Sequence, residues 1–264
     1  MDFIKYIILG ILQGITEPIP VSSSGHLVIL RKILSDQFVY DLNFEIIVNF
    51  GSLLAVLVYF KKDIIKIIQD FFNYLKRKEE KTKTNYNYAW LIVIGTIPAG
   101  IFGLLFKDLI ENSLTNIKII GVSLLITAFL LYLIKDLKGT KNKKEITLKD
   151  ALIIGLFQVV ALIPGISRSG ATIVGGIFQG LKRETAFKYS FFLYIPISLA
   201  TMILGVKDLI HSSNLIFPYL IGMLMAGIFT YIVLNWLEKI IKKGQLIYFV
   251  YYCLFLGTLV LLFL

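Results

Sequence analysis

Three features of the sequence predict an all-α, polytopic membrane protein. Of its 264 residues, 57% are hydrophobic and only 17% are charged, which is too little charge for a soluble domain of this size. Several apolar runs are long enough to cross a bilayer, which takes about 20 helical residues. The basic residues are concentrated between these runs, so the net charge of +10 indicates membrane topology and not a surface that binds nucleic acid.

The first apolar run, residues 3–34, contains a polar stretch with two prolines. Pro18 and Pro20 forbid one continuous helix. We therefore predict a helix over residues 3–16, a turn through Pro20 and a second helix from about Ser22, which together form a re-entrant hairpin. Broken backbone at membrane depth is tolerated only where protein or a wet cavity surrounds it, and polar groups there indicate a functional site.

The remaining apolar runs follow in order, and one of them is interrupted in the same way. After the first hairpin, the predicted spans are 44–60, 88–106 and 117–134. A second hairpin is predicted at residues 151–181, broken near Pro164, and the last spans are 187–205, 215–236 and 246–264.

The two halves of the chain resemble each other, which predicts a duplication within a single membrane domain. At a shift of 145 residues, four polar or glycine positions of the first hairpin match the second: Gln13 with Gln158, Ser22 with Ser167, Ser24 with Ser169, and Gly25 with Gly170. At a shift of 127, Ile94-Gly95 matches Ile221-Gly222. The repeats are expected to cover residues 1–140 and 150–264.

Charge predicts the orientation of these repeats. If each hairpin re-enters on its own side, each half crosses the membrane three times, and the halves have inverted topology, with six transmembrane helices in all. This arrangement places the basic segments 61–83 and 135–149 in the cytoplasm, and the weakly charged loops 107–116 and 207–214 outside. Segment 61–83, with eight Lys/Arg, is expected to be a solvated cytoplasmic face with some attraction to anionic lipid.

The first motif carries two groups that suit a hard cation. Gln13 and Glu17 are four residues apart and therefore share one helix face. An oxygen-rich pair of this kind suits Mg²⁺ or Ca²⁺, with water and substrate phosphate completing the coordination shell. The alternative is a buried Glu17 that accepts hydrogen bonds from backbone at the break.

Serines and an arginine at the two breaks predict a phosphate or diphosphate site. Serine is a favoured N-cap, but two breaks need only two caps, and five serines are present: Ser22, Ser23, Ser24, Ser167 and Ser169. Two converging helix N-termini with hydroxyls would bind an anion. The fork of Arg168 matches phosphate, and its alternative partner is Glu17.

His26 lies three residues after Ser23, so the two can share a helix face. At this spacing His26 could activate the Ser23 hydroxyl for attack on phosphorus, or protonate a leaving group. The alternative is a structural hydrogen bond. Thr172 is expected to bond back to its own helix.

The two motifs, Glu17-x-x-Pro20-Val-Ser-Ser-x-Gly25-His26 and Pro164-Gly-x-Ser167-Arg168-Ser169-Gly-Ala-Thr172, closely resemble the signatures of the bacterial undecaprenyl-diphosphate phosphatases, the bacitracin-resistance family. The resemblance extends over essentially the whole chain. It implies an integral membrane enzyme, often homodimeric, that removes the terminal phosphate of undecaprenyl diphosphate at the outer face of the bacterial cytoplasmic membrane. This reaction regenerates the lipid carrier for cell-wall synthesis.

Carried over position by position, the resemblance implies Ser23 as nucleophile, His26 as its histidine and Arg168 as the phosphate-binding arginine. It assigns Gln13 and Glu17 to the metal-linked acidic motif. The remaining motif positions are expected to bind phosphate: Ser22, Ser24, Gly25, Ser167, Ser169, Gly170 and Thr172.

Two points remain open from the sequence. Many members of the family have Glu where this chain has Gln13, so one negative charge of the cation site is missing. In addition, inverted repeats around a midplane anion site are also the layout of a secondary transporter, for instance a flippase for a prenyl phosphate. The Ser–His pair beside an arginine favours the enzyme.

Overall fold

The computed structural model describes residues 2–33, 42–107, 109–110, 116–209 and 216–264, and its regular structure is helical. These residues form a short 3₁₀ helix, Lys143–Glu145, and eleven α-helices: α1 Asp2–Thr16, α2 Ser23–Ile33, α3 Leu42–Tyr59, α4 Lys61–Arg77, α5 Glu80–Leu105, α6 Ile117–Ile134, α7 Leu148–Val160, α8 Arg168–Phe178, α9 Arg183–Leu209, α10 Ile216–Lys243 and α11 Ile247–Phe263. The segment between the first predicted hairpin and the span 44–60, and the predicted outer loops 107–116 and 207–214, lie largely outside the described residues.

Four of these helices are long and apolar enough to cross a membrane, namely α5, α6, α9 and α10. A fifth crossing is obtained if α3 and α4 count as one broken span, and α1 and α11 are shorter apolar helices. The chain is therefore a multi-pass membrane protein, as predicted. The helices extend past the apolar runs at their charged ends, so that α5 begins at Glu80 and α10 ends at Lys243.

Both predicted breaks are present. Helix α1 ends at Thr16 and α2 begins at Ser23, so Pro18 and Pro20 lie in the turn between them. Helices α7 and α8 are separated in the same way around Pro164. The two helices of each pair pack on each other, which makes two helical hairpins.

Each hairpin also packs closely against a long helix from the other half of the chain. A Cβ atom added to Gly10 of α1 would lie 2.4 Å from the carbonyl oxygen of Gly222 in α10. A Cβ added to Gly155 of α7 would lie 2.4 Å from the carbonyl oxygen of Gly95 in α5. Because only glycine leaves room for backbones this close, these contacts fix where the two hairpin turns lie.

The segment 61–83 is not the simple solvated loop that its charge suggested. Residues 61–77 form α4, and α3 and α4 are bent by 74° at the break between them. The rings of Phe71 and Tyr86 stack at 5.1 Å, which holds α4 against α5. The charge pattern concealed this helix, in which apolar residues such as Ile64, Ile67 and Phe71 recur at helical spacing among the lysines.

Candidate active site

The turns of the two hairpins meet at a cavity of about 190 Å³. Helices α3 and α9 supply the rest of its wall. The hairpin residues that line it are mostly those singled out from the sequence: Glu17, Ser22, Ser23, Ser24, Ser167, Arg168 and Ser169. The structure therefore brings two motifs separated by about 145 residues into one site.

The two helices that begin at the cavity are capped by the same kind of hydrogen bond. The Gly25 amide donates to the Ser22 hydroxyl oxygen at 3.2 Å, and the Gly170 amide donates to the Ser167 hydroxyl oxygen at 3.1 Å. Ser22 and Ser167 are thus the N-caps, and Ser23, Ser24 and Ser169 are not needed for capping. Ser22 adopts a φ of 69°, in the left-handed region, and such strain at a non-glycine residue is typical of functional sites.

The Glu17 carboxylate accepts hydrogen bonds from three side chains. Its Oε2 atom accepts from the Ser23 hydroxyl at 2.5 Å and from the Gln13 amide at 3.1 Å. Its Oε1 atom accepts from the Arg168 guanidinium at 2.7 Å. The Glu17–Arg168 ion pair, the alternative left open by the sequence, is therefore present, and the side chains of Glu17 and Arg168 are 9% and 17% exposed.

The Arg168 guanidinium lies over the aromatic ring of Tyr194, a residue that the sequence analysis missed. Its guanidinium carbon lies 3.8 Å from the centroid of the Tyr194 ring. The Tyr194 hydroxyl donates to the backbone oxygen of Asn49 at 2.9 Å, and the Ser198 hydroxyl donates to the Asn49 side-chain oxygen at 2.9 Å. These residues were missed because each is a single polar group in an apolar span, although Asn49 at membrane depth was a usable signal.

One terminal nitrogen of the Arg168 guanidinium lacks an acceptor. The Nη1 atom is buried and has no hydrogen-bond partner among the described residues. A buried guanidinium nitrogen without an acceptor is costly. Because Arg168 lines the cavity, a phosphate oxygen there would supply the missing acceptor.

His26 does not contact Ser23 in the described structure, although the two are three residues apart on α2. The Nδ1 atom lies 2.7 Å from the Ser22 carbonyl oxygen, and Nε2 lies 2.6 Å from the Tyr252 hydroxyl of α11. A carbonyl only accepts, so Nδ1 carries the proton and Nε2 accepts from Tyr252. The Ser23 hydroxyl donates to Glu17, whereas His26 bonds to Tyr252 of α11 and is not among the residues that line the cavity.

The remaining predicted residues play supporting parts. Thr172 is back-bonded, as expected: its hydroxyl donates to the Arg168 carbonyl at 2.9 Å and lies 2.6 Å from the Ser190 hydroxyl, away from the cavity lining. Gly25 and Gly170 contribute the amides that the caps use. Gln158, the counterpart of Gln13, is buried, and its side-chain nitrogen and oxygen have no partner among the described residues.

The residues around Glu17 are chemically suited to a hard cation. The Oε1 atom of Gln13 is buried and lacks a donor among the described residues, so it is a free oxygen next to a carboxylate. Glu45, a carboxylate that the sequence analysis missed, also lines the cavity. No group of three or more His, Cys, Asp or Glu side chains that could hold a metal occurs in the described part of the chain. Substrate oxygens would therefore have to complete the shell.

The fold and this site define an integral membrane protein with a polar cavity, lined by a half-buried arginine and several serines, between two helical hairpins. The model of the family described as bacitracin resistance protein BacA matches residues 6–259. The chain therefore belongs to the BacA family, and the resemblance seen in the two motifs is confirmed.

The chain is also similar to curated relatives over their whole length. It is 46% identical to undecaprenyl-diphosphatase 1 of Bacillus cereus over 99% of this chain and 97% of the relative. It is 47% identical to undecaprenyl-diphosphatase 1 of Bacillus licheniformis over 100% of both chains. It is 43% identical to the undecaprenyl-diphosphatase of Oceanobacillus iheyensis, over 99% of this chain and 96% of the relative.

Proposed function

We propose that this protein is a membrane phosphatase that hydrolyses undecaprenyl diphosphate to undecaprenyl phosphate and inorganic phosphate. This activity recycles the lipid carrier for peptidoglycan synthesis and confers resistance to bacitracin. The observation that carries the proposal is the Glu17 carboxylate, which binds the Ser23 hydroxyl and the Arg168 guanidinium where two helix N-termini meet. Membership of the BacA family and the names of the relatives support the same substrate.

Charge neutralisation comes first in this mechanism. The diphosphate enters the cavity, and Arg168 binds it through Nη1, the guanidinium nitrogen that lacks a partner among the described residues. The N-termini of α2 and α8 add positive potential. Tyr194 holds the guanidinium plane in place, so that little reorganisation is needed as charge develops on the reacting phosphoryl group.

The Ser23 oxygen then attacks the terminal phosphorus, and Glu17 takes its proton, since the two oxygens are 2.5 Å apart. The bond from that phosphorus to the bridging oxygen breaks, and undecaprenyl phosphate leaves. Water hydrolyses the phosphoserine, releases inorganic phosphate and restores Ser23. A direct attack by water, with Ser23 only positioning it, is the alternative chemistry. His26 holds the Ser22 carbonyl and is assigned a positioning role.

The proposed topology is two inverted repeats with six spans and two re-entrant hairpins, in the bacterial cytoplasmic membrane. Helices α1, α2, α7 and α8 have 15, 11, 13 and 11 residues, which is short of the roughly 20 that a span needs. The matching glycine contacts, Gly10 with Gly222 and Gly155 with Gly95, support the repeat. The basic segments then lie in the cytoplasm, and the cavity opens to the extracytoplasmic side.

A divalent cation, Mg²⁺ or Ca²⁺, and a homodimeric assembly complete the proposal. Gln13 and Glu17, with Glu45 nearby in the cavity wall, are the residues that would hold the cation. When bound, the cation would neutralise charge on the diphosphate. Light scattering of the purified protein tests the homodimer.

The decisive experiment is phosphate release from farnesyl diphosphate by detergent-purified protein, with and without EDTA. We expect release that EDTA abolishes and that Mg²⁺ or Ca²⁺ restores. If EDTA does not change the release of phosphate, the phosphatase assignment stands and the divalent cation is not required. No release under any cation, from folded protein that still binds the diphosphate through Arg168, would instead favour the transporter of a prenyl phosphate.

A further inference from the structure

Helix α4 has one buried side and one exposed side. Asp63, Ile64, Ile67, Asp70, Phe71 and Tyr74 are buried or half-buried, and this side faces α5 through the Phe71–Tyr86 stack and the hydrogen bond from Asn85 to Asp70. The residues between them along the helix are exposed. The exposed side of α4 is therefore available to contact lipid, water or another molecule.

The exposed side consists of two parallel stripes. An apolar stripe contains Ile65, Ile68, Phe72 and Leu75, which are 53%, 50%, 55% and 48% exposed. A polar stripe lies next to it, because each apolar residue of the stripe is followed in the sequence by a polar one. The polar stripe consists of Lys62, Lys66, Gln69, Asn73 and Lys76, and Arg77 lies beside its end. Both stripes recur at intervals of three and four residues, so each runs along the helix.

Water is a poor environment for four large apolar side chains in a row. Helix α4 begins where α3 ends, and the two are bent by 74°. If α3 crosses the membrane, α4 lies nearly parallel to the membrane surface. Val58, near the end of α3, is 53% exposed, so the end of this span also carries an exposed apolar side chain.

We propose that α4 is an interfacial helix that binds anionic phospholipid of the leaflet at which α3 ends. The apolar stripe packs on acyl chains, and the cations of the polar stripe bind headgroup phosphates. The polar stripe and Arg77 carry four cations and no carboxylate, whereas the two acidic residues of α4 are engaged by other helices. Asp63 pairs with Lys188 of α9, and Asp70 accepts from Asn85 of α5. This separation of charge selects anionic lipid over zwitterionic lipid. The site is distinct from the catalytic cavity and does not depend on the proposed phosphatase activity.

The first test locates the helix. Two single-cysteine variants, Phe72→Cys and Asn73→Cys in a Cys253→Ala background, carry spin labels in nanodiscs of phosphatidylglycerol and phosphatidylcholine. We expect the label at residue 72 to be accessible to oxygen and that at residue 73 to an aqueous nickel chelate. Equal aqueous accessibility at both positions would place α4 in solvent and overturn the proposal.

The second test addresses the lipid. The triple variant Lys62→Gln, Lys66→Gln, Lys76→Gln should retain less phosphatidylglycerol relative to phosphatidylcholine in native mass spectrometry, by about fivefold per lysine. The matched control, Lys138→Gln, Lys144→Gln, Lys149→Gln, removes three exposed lysines from residues 135–149 and should retain the wild-type ratio. Equal loss in both variants would mean general attraction to positive charge, and no loss in the first would mean that α4 does not select anionic lipid. Either result overturns the proposal.

Discussion

Ser23 and Arg168 are the first residues of two different helices, and both donate a hydrogen bond to the carboxylate of Glu17. They lie 145 residues apart in the chain, the same shift that aligns the two motifs. The first helical position is thus a hydroxyl in one hairpin and a permanent cation in the other. Glu17 accepts from both, so the three groups to which the proposed mechanism assigns proton transfer, attack and phosphate binding are held together.

Replacing the attacking oxygen should stop turnover. We expect Ser23→Ala to lower kcat for phosphate release by at least about a thousandfold, because no other hydroxyl in the site donates to Glu17 within the described chain. Ser24→Ala removes a hydroxyl from the same cavity wall and should raise KM, with kcat within about tenfold of wild type. Near-normal turnover by Ser23→Ala would rule out the phosphoserine and favour direct attack by water.

His26 should behave as a positioning residue. Its two nitrogens are engaged by the Ser22 carbonyl and the Tyr252 hydroxyl, so no proton from Ser23 reaches it directly. We expect His26→Ala to lower kcat by only about tenfold and to leave the shape of the pH–rate profile unchanged. Tyr252→Phe, which removes only the hydroxyl, should lower Tm without changing kcat. A loss as large as that of Ser23→Ala, together with the loss of one limb of the profile, would instead make His26 the base.

Tyr194 should control the binding of the diphosphate through Arg168. Tyr194→Leu removes the ring beneath the guanidinium, and since a buried cation–π contact contributes about 1–2 kcal/mol, KM should rise roughly 5- to 30-fold. Tyr194→Phe keeps the ring and loses only the hydrogen bond to Asn49, so its KM should stay close to that of wild type. Equal KM values for the two variants would show that the hydroxyl, and not the ring, is what matters.

Lys143, which is not among the residues of the candidate active site, should make the thermal stability of the protein depend on pH. Burial lowers the pKa of this lysine from 10.5 to about 8, although its ammonium lies 4.2 Å from the centroid of the Tyr88 ring. Between pH 8 and 10.5 the unfolded chain therefore binds more protons at this position than the folded chain, and stability rises with pH. The difference in Tm between wild type and Lys143→Gln should thus shift in favour of wild type from pH 8 to 10. Lys144→Gln, which removes an exposed neighbouring lysine, is the matched control.

Much of the fold could be predicted because the membrane limits the choices. Pro18 and Pro20 identified the first break, and the serine caps identified the starts of α2 and α8. The Gln13–Glu17 contact followed from helical spacing alone. These are local properties, and local rules describe them well.

The missed features depend on tertiary structure or on a competing pattern. The spacing of Ser23 and His26 allowed a contact, but Glu17 and Tyr252 attract the two side chains in different directions. The sequence around Tyr194 does not indicate that its ring contacts the guanidinium of Arg168. In α4, the number of lysines concealed an amphipathic pattern that was readable in the sequence.

The glycine contacts have a consequence for how the site is assembled. In the described structure the hairpin of each half packs against a long helix of the other half, through Gly10 and Gly222 on one side and Gly155 and Gly95 on the other. Either half of the chain made alone would lack the helix that packs on its hairpin. The cavity, which takes its lining from both halves, is therefore complete only when the whole chain has folded.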